Sequence, residues 1–193
     1  MSEPKNDVCT DESLADESLA DENDSQPSGG KTLFIDYSKC IGCETCEAIC
    51  GFIHDAPRIH MTRTPDGVMV PLYCRHCEKP HCQRVCTKGA VARDRDGAVV
   101  LQTMHCRGCE TRQCVQSCPY SAMFLTDKGV NVRKCDLCAS RRDIGMEPAC
   151  VAMCPTGAIR YVDRNKVPEL ETKESKEALE KVLKYLRPSS HKC

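Results

Sequence analysis

The sequence predicts an α+β fold in which short helices and β-hairpins surround cysteine-rich loops, and three observations carry that expectation. Cysteines fall into four groups of four, which account for sixteen of the eighteen in the chain. The first three groups are each followed by two β-prone runs flanking a turn signal. Apolar residues are scarce: from Lys31 onward only 32 of 163 residues are Leu, Ile, Val or Phe, near the level at which a chain is ordinarily disordered. Something other than a hydrophobic core must therefore supply much of the stability.

Residues 1–30 carry nine acids against one lysine and repeat Asp11-Glu12-Ser13-Leu14-Ala15 as Asp16-Glu17-Ser18-Leu19-Ala20, ending in Pro27-Ser28-Gly29-Gly30. High charge with little apolar content predicts a disordered acidic tail, solubilising by default, with docking to a basic partner as the alternative. Cys9 lies in it without neighbouring ligands and reads as a free thiol. Residues 33–37 are expected to form a short strand delivering Cys40. The first group follows, Cys40-Ile-Gly-Cys43-Glu-Thr-Cys46-Glu-Ala-Ile-Cys50, with a helical turn over 44–50 that aims Cys50 away from the other three. Residues 58–63 and 68–72 alternate around Pro65-Asp66-Gly67, a hairpin signal.

Cys74, Cys77, Cys82 and Cys86 form the second group, and Cys106, Cys109, Cys114 and Cys118 repeat its spacing 32 residues on. The two stretches also share Arg75 with Arg107, Glu78 with Glu110 and Ala90 with Ala122, which reads as an internal duplication. Each is trailed by another hairpin candidate, turning at Asp96-Gly97 and at Asp127-Lys128-Gly129. The fourth group, Cys135, Cys138, Cys150 and Cys154, has eleven residues between its second and third members and closes on Cys154-Pro155-Thr156-Gly157-Ala158-Ile159. Beyond Pro168 the pattern changes. Residues 173–187 place Ala178, Leu179, Val182, Leu183 and Leu186 on one helical face, which packs on its own domain by default and docks on another subunit in the alternative. Cys193 reads as a second free thiol.

Two-residue spacers bring successive sulfurs to different corners of one iron–sulfur cubane. Three thiolates from one loop leave an iron over, and in bacterial ferredoxin runs the fourth cysteine ligates the other cluster. Four motifs therefore make two reciprocal pairs and four [4Fe–4S] clusters, and spacing alone leaves three ways to pair them. Zinc is the strongest rival, but a structural zinc site uses two separated Cys pairs and has no use for a third thiol two residues on. A disulfide scaffold suits a short secreted chain with a signal peptide, and this N-terminus does not read as one. Radical chemistry from a Cys-x3-Cys-x2-Cys loop lacks its spacing. If clusters replace the missing core, the apoprotein is expected not to fold.

The formal charge of −1 hides an asymmetry: outside the acidic tail there are 26 basic and 19 acidic side chains. Each oxidised cubane with its thiolates carries a formal charge of about −2. The basic excess is thus mostly internal compensation, which argues against a nucleic-acid partner. Arg75, Arg107, Lys134, Arg141 and Arg142 lie beside ligands; solvated surface charge is the default for each, and tuning of cluster potentials the alternative. His76, His81 and His105 are expected beside the ligands or on the surface, because complete cysteine sets leave them no coordination role. No apolar run approaches the ~20 residues needed to span a membrane.

At these four groups the chain resembles the iron–sulfur subunits of dimethyl sulfoxide reductase type and their relatives in formate dehydrogenases, hydrogenase complexes, aldehyde oxidoreductases and carbon monoxide dehydrogenase. The likeness runs over roughly residues 33–161, most specifically in Tyr73-Cys74-Arg75-His76-Cys77-Glu78-Lys79-Pro80-His81-Cys82 and in Pro148-Ala149-Cys150-Val151-Ala152-Met153-Cys154-Pro155-Thr156-Gly157-Ala158. The resemblance implies that the first motif pairs with the fourth and the second with the third. One cluster then takes Cys40, Cys43, Cys46 and Cys154, and its neighbour Cys50, Cys135, Cys138 and Cys150. The inner pair takes Cys74, Cys77, Cys82 and Cys118, then Cys86, Cys106, Cys109 and Cys114. Two ferredoxin-like halves are implied, the second inserted in the first: an outer half over 31–72 and 130–168, an inner half over 73–129, and a helix and tail over 169–193. Thr87 departs from the proline usual after a motif's last cysteine.

Cubanes with four thiolate ligands leave no iron open to substrate, so the expected role is a one-electron relay without a catalytic site of its own. The expected partners are a separate catalytic oxidoreductase subunit (a pterin Mo/W enzyme, CO dehydrogenase or hydrogenase) and a second carrier or membrane anchor subunit. A free polyferredoxin, or less readily a cluster assembly factor, is the alternative. The expected location is the cytoplasm, or the periplasm if the chain is exported with a signal-bearing partner.

Overall fold

Antiparallel pairing of its first and last strands closes the chain on itself. In the computed structural model, which describes residues 30–125 and 131–186, β1 (Lys31–Ile35) lies beside β8 (Ile159–Asp163), with Lys31 opposite Asp163 and Ile35 opposite Ile159. Thr32, Leu33, Phe34 and Ile35 are all buried, so the strand predicted before Cys40 is covered on both faces. The ladder brings the loops of the first and fourth cysteine groups together.

Three hairpins complete the sheets among the described residues: β2 (His60–Arg63) with β3 (Met69–Leu72), β4 (Val91–Arg93) with β5 (Val99–Leu101), and β6 (Met123–Leu125) with β7 (Val132–Lys134). Gly67 at φ +83° and Gly97 at φ +75° turn the first two where the sequence signals them. Asp94 fixes the second turn by accepting from the amides of Asp96 and Ala98. The turn expected at 127–129 lies outside the described residues, as do the acidic tail, Cys9 and Cys193.

Helix α1 (Thr45–His54) carries Cys46 and Cys50 one turn apart and both buried. It runs four residues past the expected turn, stopping at Asp55 (φ +59°) just ahead of Pro57. Glu47, favourably placed in its first turn, ties it to β2 by accepting from the Met61 amide at 2.5 Å and meeting His60 Nδ1 at 3.0 Å. The one-turn helices α2 (His81–Arg84), α4 (Gln113–Gln116) and α6 (Ala149–Ala152) each hold a cysteine at their second residue. They are joined by α3 (Thr103–Cys106), α5 (Ala139–Arg142) and α7 (Val167–Leu170). Helix α8 (Lys173–Leu186) begins where Thr172 Oγ1 accepts from the Ser175 amide at 3.1 Å, an N-cap bond. Ala178 and Leu179 on its expected apolar face are half-buried; the side chains of Val182, Leu183 and Leu186 lie outside the described set. Among the described residues no helix is long and apolar enough to cross a membrane.

The buried residues form two clusters, and cysteines belong to both. Leu33, Ile35, Ile59, Tyr73, Ala98, Leu137 and Ile159 pack with Cys46, Cys50 and Cys150. Ala90, Val91, Val99, Met123 and Val132 pack with Cys106 and Cys114. Arg142, its side chain 5 % exposed, ties the β4–β5 turn to the fourth cysteine loop. It pairs with Asp94 at 2.5 Å and with Asp96, and donates to the carbonyls of Asp136 and Leu137. The sequence offered it as a solvated charge; its position between two carboxylates and two carbonyls makes it a structural tie instead.

Candidate iron–sulfur sites

One backbone device builds the opening Cys-x2-Cys loop of each of the four groups. The residue before the second cysteine is left-handed in each: Gly42 (φ +69°), His76 (+46°), Gly108 (+68°) and Leu137 (+57°). Glycine adopts this conformation freely, whereas it costs His76 and Leu137 about 1–2 kcal/mol each. In three of the four the bend directs that residue's amide at the first sulfur. His76 N donates to Cys74 Sγ at 3.4 Å, Leu137 N to Cys135 Sγ at 3.4 Å, and the Gly42 amide acts on Cys40 in the same way.

A second device serves the last cysteine of the second, third and fourth groups. Ala90 N donates to Cys86 Sγ at 3.2 Å and Ala122 N to Cys118 Sγ at 3.4 Å, and the Ala158 amide is among those serving Cys154. The duplicated Ala90 and Ala122 thus have a third counterpart in Ala158, all three 1 % exposed. Cys86, followed by Thr87, accepts this bond as Cys118-Pro119 does, so the missing proline leaves the loop geometry intact. Cys50 instead accepts from Arg58 N at 3.2 Å and Cys138 lies 3.4 Å from His54 Nε2.

The folded chain gathers the sixteen thiols into four sets, none of them disulfide-bonded. Cys40, Cys43, Cys46 and Cys154 line one cavity, with Ile41, Met61 and Pro155. Cys50, Cys135, Cys138 and Cys150 line another, with Leu33, His54 and Pro148. In the third set burial pushes Cys82 up to about 11, with Cys74, Cys118 and Cys77 adding to it against Lys134. In the fourth, Cys114 is raised by burial and then by Cys86, Cys106 and Cys109. Adjacent sets touch electrostatically: Cys46 of the first acts on Cys150 of the second, and Cys74 of the third on Cys135 of the second. The far ends lie toward solvent. Cys43 is exposed and lowered by the side chain and backbone of Thr45, and Cys109 is lowered by the Arg112 amide and Thr111 among exposed neighbours.

The donor set fits a polynuclear iron–sulfur group. Zinc held by four thiolates draws sulfurs to within about 4 Å of one another, given Zn–S bonds of ~2.3 Å. Among the described residues no three His, Cys, Asp or Glu side chains converge as a single ion requires. Amide N–H groups aimed at sulfur suit thiolates and sulfides, whose charge strengthens such bonds. His76, expected beside the ligands, adds a further sign. It is fully buried, and its Nδ1 accepts from the Val99 amide at 3.0 Å. Burial and the charges of Lys134, Arg164 and Arg142 hold it well below the usual histidine range, hence neutral with its proton on Nε2. That Nε2 is buried and has no protein acceptor among the described residues, as a donor kept for a group other than protein would be. His81 and His105 are exposed.

Residues 65–164 match the family described as 4Fe-4S dicluster domain, and residues 33–52 a 4Fe-4S binding domain. The chain is 38% identical over 170 residues to the electron transport protein HydN of Escherichia coli K12, across 74% of this chain and 93% of that one. It belongs to the 4Fe–4S iron–sulfur subunits of the dimethyl sulfoxide reductase family. The B subunit of the anaerobic dimethyl sulfoxide reductase of E. coli K12 is 35% identical over 159 residues, covering 72% of this chain and 75% of its own. The electron transfer subunit PhsB of Salmonella typhi thiosulfate reductase is 34% identical over 140 residues, covering 65% and 72%. Among solved structures, the active site complex BamBC of benzoyl coenzyme A reductase covers 82% of this chain and 91% of its own, at 25% identity and a TM-score of 0.39. As a member of this family the chain is an electron-transfer protein rather than a catalytic subunit.

Proposed function

We propose that this chain relays single electrons through four [4Fe–4S] clusters between a catalytic oxidoreductase subunit and a second carrier. The clusters are held by Cys40, Cys43, Cys46 and Cys154; by Cys50, Cys135, Cys138 and Cys150; by Cys74, Cys77, Cys82 and Cys118; and by Cys86, Cys106, Cys109 and Cys114. Each group, when bound, supplies reversible one-electron reduction. The protein's part is to fix the sites in a row, to place N–H donors on their sulfurs and to keep water from the inner two.

What carries the reading is that the sets adjoin in turn: Cys46 acts electrostatically on Cys150 and Cys74 on Cys135, Cys82 and Cys118 share one buried cluster with Cys86, Cys106 and Cys114, and Cys43 and Cys109 lie toward solvent in the two end sets. A row with two outward ends suits transit. Two ferredoxin-like halves, 73–129 inserted between 31–72 and 130–168, account for that order, supported by the β1–β8 ladder and the two buried clusters. The thiosulfate reductase and dimethyl sulfoxide reductase relatives favour a reductase as the catalytic subunit. Sixteen free thiols suit a reducing compartment, and the cytoplasm is the proposed location.

The test is Cys43→Ala in the intact complex. Electron delivery to the natural acceptor should fall away while the catalytic subunit stays active with an artificial dye. Unchanged delivery would overturn the relay.

A further inference from the structure

Lys134 is the least expected of the charged residues beside the ligands. It is 3 % exposed at the end of β7, directly before Cys135. Its ammonium has three protons to donate, and three acceptors meet them: Cys74 Sγ at 3.1 Å, the Cys135 carbonyl at 3.0 Å and the Val99 carbonyl. None is a carboxylate, and among the described residues no Asp or Glu forms an ion pair with it. A buried ammonium without a counter-charge is strongly disfavoured. A thiol at Cys74 would not supply that charge; a thiolate ligating an iron–sulfur cluster would.

Lys134 also stands where the inner and outer cysteine sets meet. It donates to a sulfur of the third set while hydrogen-bonding the backbone of a cysteine of the second, and its charge acts on both Cys82 and Cys135. No other lysine or arginine among the described residues donates directly to a cysteine sulfur through its side chain.

We infer that Lys134 is a positioning and potential-setting residue at the junction of the two halves: its ammonium is the counter-charge of the Cys74 thiolate and makes the cluster held by Cys74, Cys77, Cys82 and Cys118 easier to reduce. An added electron increases the negative charge facing the ammonium, so the reduced state gains more from it than the oxidised state. Hydrogen bonds to ligand sulfur and local charge are general determinants of cluster potential. The inference rests on the proposed ligation of Cys74.

EPR-monitored redox titration of the cluster-loaded full chain tests it, comparing the native protein with Lys134→Met and Lys134→Arg. Lys134→Met should lower one cluster's potential by at least the equivalent of a tenfold change in its reduction equilibrium, 59 mV for one electron. Lys134→Arg, which retains the charge, should shift it less. A purely structural role would alter the melting of both variants without moving a potential. Potentials that all stay within a tenfold equivalent, or an Arg variant that shifts as far as the Met variant, would overturn the inference. Should Lys134→Met fail to retain clusters, native protein labelled with 15N at lysine Nζ decides: pulsed EPR should detect 15N coupling at one reduced cluster, and its absence would overturn the assignment. A native chain that binds no iron would instead overturn the proposed function itself.

Discussion

Gly42 and Gly108 occupy equivalent positions in the first and third cysteine loops and have nearly the same backbone, φ +69° and +68°. Their surroundings differ. A Cβ at Gly42 would come within 2.6 Å of Met69 Cβ, whereas one at Gly108 meets nothing within 4 Å. Gly108→Ala should therefore cost only the left-handed strain, about 1–2 kcal/mol. Gly42→Ala adds a clash with an atom fixed to the backbone of β3, which no rotamer change relieves, at about 1–3 kcal/mol more. The difference corresponds to roughly 2–12 °C in the melting midpoint of the loaded protein. Anaerobic thermal melts with iron analysis provide the assay, and the Gly42 variant should also lose iron from the first site alone, approaching one quarter of the total. Two variants that melt together and keep all their iron would refute the view that close loop packing on β3 shapes this site.

Arg142→Met should destabilise the loaded chain by about 2–3 kcal/mol, less than a fully buried pair would because Asp94 and Asp96 keep some solvent, and chemical denaturation of both proteins measures it. Stripping iron anaerobically should abolish cooperative unfolding, because cysteines belong to both buried clusters; a sharp, chelator-insensitive melt of the stripped chain contradicts this. Cluster reconstitution should strengthen as pH rises through the neutral range. The thiols of the unfolded, empty chain titrate near ~8.5, so they are mostly protonated at neutral pH and must release protons to bind, and flat reconstitution between pH 6.5 and 8.5 would count against it.

The hairpins were legible because their turns are local. Asp66-Gly67 and Asp96-Gly97 need only four neighbouring residues to specify a reversal. The stop of α1 is marked by Asp55 and Pro57, beyond the last ligand of the motif, so a helix bounded by its cysteines alone comes out four residues short. Pairing of β1 with β8 joins residues more than 120 positions apart, and no local pattern in residues 31–35 names that partner; it could be expected only from family resemblance. The burial of Lys134 and Arg142 was not readable at all. Each sits beside a cysteine loop as Arg107 does, yet Arg107 is exposed, and the difference comes from β5 and the β4–β5 turn folding over the fourth loop. The alanine-to-sulfur bonds were half visible: the duplication exposed Ala90 and Ala122, while Ala158 lies in a motif whose different spacing hid its equivalence.

Iron and acid-labile sulfide analysis of the anaerobically purified chain, combined with a reductive titration that counts electrons, bears most directly on the four-cluster relay. Sixteen thiols in four sets predict about sixteen irons, about sixteen sulfides and about four electrons per chain. A preparation that folds normally with half that iron and two electrons, or with zinc in place of iron, would contradict the four-cluster account.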